Sequence, residues 1–351
     1  MDRMQPTKNS TRRPPRREPQ SDTPDLFSGP GDDRAIEPVA VVIVSWNSRD
    51  YLETCLASLL NLERPVQQIV VVDNASSDGT PGWLAQRYPQ VEVIARSGNE
   101  GFCRANNLGI AVTRTPFVLV LNPDTELEPG FLRQLLPAFD DPEVGIACGK
   151  LLRFDRKTLD SAGQMLARSR QPLDRGYGEA DDGRYDLDET VFGACGAAAL
   201  YRRTMLDSIV DEGGAFFDEA FFAFVEDLDL AWRAHKLGWR AVYRFKAVGY
   251  HARGGTATGP LWSRRLAAML GHGSEVRFHI AKNRYLTILR NDSVAGYAAN
   301  LPFIWSRDLG TLALLLVTSP AVLIRLWRAR GLFSRARAKR RLDAGRTRDQ
   351  I

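Results

Sequence analysis

Four places in this 351-residue chain put an acid or an imidazole at the end or edge of an apolar run. They are Asp73 in IVVVDNASSDGT, Asp124 in FVLVLNPDTEL, the pair Glu226 and Asp227 in FFAFVEDLDLAW, and His251 in VGYHARGGT. A short apolar run that stops at a carboxylate reads as a buried parallel strand delivering its last residue to a sheet edge. In open α/β sheets ligands bind at that edge. Carboxylates and a histidine converging there suit a divalent cation and a phosphate-bearing substrate.

Each group has its own chemistry. A carboxylate at the position of Asp73 can accept hydrogen bonds from a nucleobase imide or a ribose hydroxyl, and the Ser/Asp/Gly loop after it offers backbone N–H groups and a helix start. Asp78 in that loop reads as a cap for the following helix. A diphosphate needs a hard cation with oxygen ligands, and one or two carboxylates suffice when phosphate and water complete the sphere. Asp124 is the candidate carboxylate, Asn122 a weak ligand or water-orienting group, and His251 a further ligand, since imidazole suits Mn²⁺ better than Mg²⁺. Glu226, Asp227 and Asp229 open a helix, where acids also answer the helix dipole. The apolar lead-in (Phe216, Phe217, Phe221, Phe222, Phe224, Val225) shelters at least one of them. Burial of that kind raises a carboxyl pKa toward a value useful for deprotonating a hydroxyl nucleophile.

The elements that must position these groups alternate. Strands are predicted at Val39–Ser45, Gln68–Val72, Val91–Ala95, Phe117–Leu121 and Val144–Leu152. Helices are predicted at Asp50–Leu60, Thr80–Tyr88, Phe102–Thr113, Gly130–Phe139 and Glu226–Leu237, the last stopped by Gly238. This βαβα order with short connections predicts a doubly wound, mostly parallel sheet flanked by helices. SWNSRD follows the first strand in place of GxGxxG, which argues against a dinucleotide oxidoreductase. Residues 153–190 read as loops or a small hairpin insertion, and the glycines and alanines of VFGACGAAALY as close backbone approach beside a ligand.

Charge is unevenly placed. The net charge is +5, but residues 325–351 carry ten Arg or Lys against two Asp, a net +8 that leaves the rest at −3. Just before this tail, Leu309–Ile324 is nearly uncharged, short for a bilayer span, and broken by Thr318-Ser319-Pro320. An apolar segment adjoining a polybasic stretch is expected to anchor at an anionic membrane surface, interfacially or re-entrantly; the competing reading is a buried helix pair covering the core. Few aromatics interleave with the basic residues, which disfavours nucleic acid as a partner. Cys55, Cys103, Cys148 and Cys195 form no CxxC pair and read as reduced thiols of a cytosolic protein. Residues 1–37, polar and rich in Pro and Arg with no apolar leader, read as a disordered arm.

With these residues in place the chain, from about Val39 to about Arg290, resembles family 2 glycosyltransferases of the GT-A fold. Its flavour is that of the bacterial rhamnosyl- and galactofuranosyltransferase branch. Seven segments in order carry the likeness: VVIVSWNSRDYLETCLASL, IVVVDNASSDGT, NEGFCRANNLGI, VLVLNPDTEL, FGACGAAALYRR, FDEAFFAFVEDLDLAWRAHKLGW and HARGGT. The resemblance implies inverting, metal-dependent transfer (Mg²⁺ or Mn²⁺) of a sugar, rhamnose first, from a dTDP- or UDP-sugar to a hydroxyl of a growing cell-surface glycan. The acceptor would be polyprenyl-diphosphate-linked and met on the cytoplasmic face of the bacterial inner membrane. It implies that Asp73, Ser45 and Asn47 meet the nucleobase, and that Asn99, Gly101, Asn106 and Asn107 lie near the ribose or diphosphate. The family's DxD stands here as Asn122-Pro123-Asp124, which leaves Asp124 as main carboxylate ligand with His251. Asp227 would be the base, with Glu226 holding an acceptor or sugar hydroxyl. The expected organisation is a 1–37 arm, a 38–290 GT-A domain, a 291–330 apolar helical segment and a 331–351 basic tail. Lys282, Arg284 and Arg290 read either as contacts to an acceptor diphosphate or as a solvated helix face. Two rivals remain at this level: a nucleotidyltransferase, disfavoured by the absence of a Gly-rich basic loop, and a membrane-bound scaffold with a degenerate sugar-nucleotide site.

Overall fold

A computed structural model of the chain describes residues 37–252 and 273–345. The proposed arm up to residue 36, the RGGT of the HARGGT segment and the last six residues of the tail lie outside the described residues.

Three runs of β-branched and apolar residues form the centre of the sheet: β1 (Val39–Ser45), β2 (Gln68–Asp73) and β4 (Phe117–Leu121). With β3 (Glu92–Ala95) they run parallel in the order β4-β1-β2-β3. Beyond β4 the sheet becomes mixed. β11 (Ala198–Arg202) lies antiparallel between β4 and β6 (Val144–Arg153), and β12 (Arg240–His251) runs parallel to β6. The doubly wound, mostly parallel sheet therefore stands, with an antiparallel strand at the junction of its halves.

Alternate residues feed opposite faces, so the strands are buried on both sides. Val41, Ile43 and Val71 join Leu52, Leu56 and Leu59 of α1 (Arg49–Leu60) in one core. Val42, Val118 and Val120 join Cys103 and Ile110 of α3 (Phe102–Val112) in the other. Gly109 sets how closely α3 approaches: a Cβ there would stand 2.4 Å from Val42.

Departures from the expected elements have local causes. The helix expected over Gly130–Phe139 is α4 (Phe131–Leu135) followed by a 3₁₀ turn at Leu136–Asp140, because Pro137 has no N–H to continue the α ladder. Residues 153–190 hold β7 (Leu159–Ser161), a hairpin of β8 (Gln164–Leu166) with β9 (Pro172–Asp174), and the start of β10 (Glu189–Val191). After α2 (Thr80–Arg87), α5 (Arg203–Ile209) and α6 (Glu226–Lys236), the chain ends in five helices: α7 (Ser274–Asn291), α8 (Val294–Ala299), α9 (Leu301–Thr318), α10 (Pro320–Arg328) and α11 (Arg330–Asp343). Ser319-Pro320 breaks the apolar segment into α9 and α10, as its composition indicated. The reading of a buried pair fails: on α9 Ile304 and Leu315 are the buried residues, while Leu309, Leu316 and Val317 are exposed.

Candidate active site

β1 and β2 end in register, Ser45 beside Asp73, so both reach the carboxyl edge together. Asp73 is buried. Its Oδ2 accepts from the Ser76 N–H at 3.0 Å, while its Oδ1, like Ser45 Oγ, has no hydrogen-bond partner among the described residues. An unsatisfied buried acceptor costs about 1–3 kcal/mol, so this pair is suited to an incoming donor. The loops after the two strands are stitched together. Asn47, at φ 51°, accepts from the Ser77 N–H (2.7 Å) and donates its own N–H to Ser76 Oγ (2.9 Å). Asp78 accepts from the N–H groups of Arg49 and Thr80, the helix-start role expected of it.

Asn74, which sequence reading passed over, extends this edge by donating to the Gly101 carbonyl at 3.1 Å. Asn99 accepts from the Gly101 N–H. Gly101 sits at φ 87°, where a Cβ would come within 2.5 Å of the Phe222 ring. Asn106 donates to the Phe102 carbonyl and keeps a buried, unpartnered Oδ1. Asn107 departs from the ligand-contacting role that the resemblance implied: both ends of its amide are bonded to the Phe217 backbone, so it holds that segment.

The Asn122-Pro123-Asp124 turn follows β4. β5 (Thr125–Leu127) then pairs with the end of β12, setting Thr125 opposite His251. His251 Nε2 lies 3.3 Å from Asp124 Oδ1, and its Nδ1 lies 2.8 Å from Asp160 Oδ2 on β7. Burial pulls the His251 pKa down, but hydrogen bonds to Asp124 and Asp160 outweigh it and hold the imidazole up at about 9. A carboxylate behind a histidine is the usual way a metal-binding imidazole is oriented. Among the described residues no group of three or more ligating side chains gathers here or elsewhere. Asp124 and His251 nonetheless fit a cation whose other ligands are phosphate and water.

The acid pair is placed by strain. Phe222, Phe224 and Val225 have φ of 67°, 74° and 68°, each costing about 1–3 kcal/mol for a bulky residue. α7 holds them there. Asn283 Nδ2 donates to the carbonyls of Phe221, Ala223 and Phe224, and Lys282 Nζ to those of Ala220 and Phe221. The chain then enters α6 with Glu226 buried and Asp227 half-buried.

Asp227 Oδ2 accepts from Gln164 Nε2 (2.7 Å) and the Gly196 N–H (3.0 Å), and Oδ1 from the Leu228 N–H (2.8 Å). Burial pushes its pKa up, against the pull of the Gly196 N–H. Glu226 Oε2 is buried without a partner, and burial, then the charges of Asp227 and Asp229, push that carboxyl up to about 8. Asp229 goes the other way. Burial would raise it, but Arg233 and Arg290 hold it below its usual range. The EDLD run is thus split into two protonatable acids and one structural anion.

Two short segments tie the acids to the NPD turn. Gly196 donates to Asp227, and the next carbonyl, Ala197, accepts from the Asn122 N–H. Asp160 and Gln164, four residues apart in LDSAGQ, hold His251 and Asp227. Sequence reading missed Asp160 and Gln164 because that stretch carries no periodic signal. It did mark the glycines of VFGACGAAALY for close approach, and within this structure the Gly196 N–H meets Asp227. Lys282, Arg284 and Arg290 match neither reading made for them. They are buried, and the two arginines pair with Asp308 and with Asp218 and Asp343.

Glycosyl transferase family 2 matches residues 40–210. The N-acetylglucosaminyl-diphospho-decaprenol L-rhamnosyltransferase of Mycobacterium tuberculosis is 35% identical over 231 residues, 58% of this chain and 72% of that protein. The putative glycosyltransferase EpsH of Bacillus subtilis is 27% identical over 61% of this chain and 60% of its own length. Among solved structures, S. aureus TarS 1-349 superposes at TM-score 0.51 with 18% identity over 85% of this chain and 80% of that one. The mannosyltransferase PcManGT from Pyrobaculum calidifontis, in complex with GDP-Man and Mn²⁺, superposes at 0.50 with 17% identity over 91% and 87%.

Proposed function

The chain belongs to glycosyl transferase family 2, and on that premise we propose that it transfers a sugar from a nucleoside-diphosphate donor to a hydroxyl of a lipid-linked cell-surface glycan, inverting the anomeric centre. The observation that carries the reading is the pairing just described, in which Gly196-Ala197 and Asp160/Gln164 each bind the acid pair to the Asp124–His251 end. The same short segments thus join the proposed base to the proposed diphosphate-facing group. Rhamnose and a polyprenyl-diphosphate acceptor are the assignments favoured by the mycobacterial relative's name, and a dTDP- or UDP-sugar is kept as the donor from the family resemblance. The division into a 38–290 domain, a 291–330 helical segment and a basic tail is kept with it, as is a peripheral or re-entrant position on the cytoplasmic face of the bacterial inner membrane. The exposed apolar face of α9 supports that position.

In this mechanism Asp73 Oδ1 and Ser45 receive the nucleobase, with Asn47, Asn99, Gly101 and Asn106 forming the edge toward ribose and diphosphate. Asp227 takes the proton of the acceptor hydroxyl as its oxygen bonds to the anomeric carbon and the nucleoside diphosphate departs from the opposite face. Glu226 orients a sugar or acceptor hydroxyl through its unpartnered oxygen. A divalent cation held by Asp124 and His251, with Asn122 beside them, would supply charge neutralisation for the departing diphosphate.

A second reading exchanges the two acids, because Glu226 has the unpartnered oxygen and a carboxyl pushed up to about 8. Purified Asp227→Asn and Glu226→Gln proteins, assayed for nucleoside diphosphate release from dTDP-, UDP- and GDP-sugars with a membrane lipid extract, decide it. Loss of about 10²–10⁴-fold in Asp227→Asn alone is expected. Normal transfer by folded Asp227→Asn overturns the base assignment. Failure of the unmodified protein to bind or cleave any donor would support the degenerate-site scaffold.

A further inference from the structure

A cavity of about 610 Å³ opens among the C-terminal helices, between α7, α8, α9 and α11. Its size is that of a ligand pocket, roughly 300–1,000 Å³. Ile288, Leu289, Tyr297 and Phe333 supply its apolar lining, and Arg337 and Arg340 stand on it from α11.

The charges around it are unequal. Two acids share the wall, and each is already neutralised from elsewhere: Asp292 by Arg170 at 2.6 Å, and Asp308 by Arg284 at 2.7 Å. Arg290 and Lys339, on α7 and α11 but off the cavity lining, also have carboxylate partners. Arg337 and Arg340 have none within ion-pair distance among the described residues. An apolar cavity thus carries two uncompensated guanidiniums, the complement of an amphiphile with a phosphate head.

The surroundings point to the source of that amphiphile. Tyr297 in the lining accepts a hydrogen bond from Trp305 Nε1 of α9, and Trp305 begins the exposed apolar face that continues through Leu309, Leu312, Leu316 and Val317. At 18 residues and mean hydropathy 1.3, with 11% of it buried, α9 offers that face to an apolar medium. We propose that this cavity binds one anionic phospholipid, an acyl chain lying along Ile288, Leu289 and Phe333 and its phosphate held by Arg337 and Arg340. The site would orient the protein on its membrane and is separate from the sugar-transfer centre, so its test needs no donor.

The full-length protein is titrated with monomeric short-chain phosphatidylglycerol, short-chain phosphatidylcholine and inorganic phosphate by calorimetry. Saturable one-to-one binding of phosphatidylglycerol is expected. Arg337→Gln with Arg340→Gln removes both charged donors to the phosphate and is expected to weaken binding about tenfold or more. Arg328→Gln with Arg341→Gln removes the same charge from exposed positions off the cavity and is expected to leave binding unchanged. Val294→Trp, which fills the mouth from an exposed position, is expected to abolish binding at an unchanged melting temperature. Equal losses in the two double variants would overturn the site in favour of diffuse attraction by the tail. Phosphatidylcholine binding as well as phosphatidylglycerol would overturn the role of the arginines. Inorganic phosphate binding as tightly as the lipid would overturn the role of the cavity.

Discussion

At the scale of single residues, the site turns on how one helix turn separates three carboxyls. Glu226 is buried with its pKa pushed from 4.5 to about 8, so its ionised form is disfavoured in the fold. A pKa raised on folding contributes stability that is full below the unfolded value, near 4.5, and is lost as pH rises through 8. Thermal melts of Glu226→Gln and the unmodified protein should therefore converge at about pH 4 and below, with the variant melting higher at pH 8 to 9. Gln164 acts through Asp227. Its N–H favours the ionised carboxylate, so Gln164→Met should raise the Asp227 pKa further. The expected readout is a shift of the acid limb of the kcat/KM profile to higher pH with donor binding unchanged. A uniform loss of rate at every pH would mean that Gln164 only packs.

At the scale of elements, α7 works as a clamp. The strained Phe222–Val225 turn presents Glu226 and Asp227, and Asn283 answers two of its carbonyls, Ala223 and Phe224, and that of Phe221 just before it, at 2.7–3.0 Å. Asn283→Ala leaves those buried carbonyls without that donor and should cost about 1–3 kcal/mol. Transfer should fall while nucleotide binding at β1 and β2 persists, which nucleotide titration beside the rate assay would check. Periodic apolar runs made β1, β2, β4, α1 and α3 legible from sequence. The hairpin β8–β9 was legible only as an alternative to loops, because each strand is three residues long and is defined by its partner.

At the scale of the whole molecule, α7 and α11 are joined to the catalytic body by a buried ionic cluster. Arg290, 1% exposed, meets Asp218, Asp229 and Asp343, and Lys339 adds Asp211 and Asp218. Breaking a buried pair from one side strands the other charge. Arg290→Met should therefore cost about 3–5 kcal/mol in a thermal melt, and Lys339→Met, on a more exposed side chain, clearly less. By itself the sequence determined the strands that lead to Asp73 and to the Asp124 turn, the acids that open α6, and the family, because apolar periodicity and residue type are local properties of the chain. Tertiary structure alone decided that Asp160 stands behind His251, that Gln164 and Gly196 hold Asp227, that Asn107 is spent on Phe217, and that Arg284 and Arg290 serve ion pairs. Those outcomes depend on which groups lose water together when distant segments pack, and hydrogen-bond demand in a buried site is met by whatever the fold brings near.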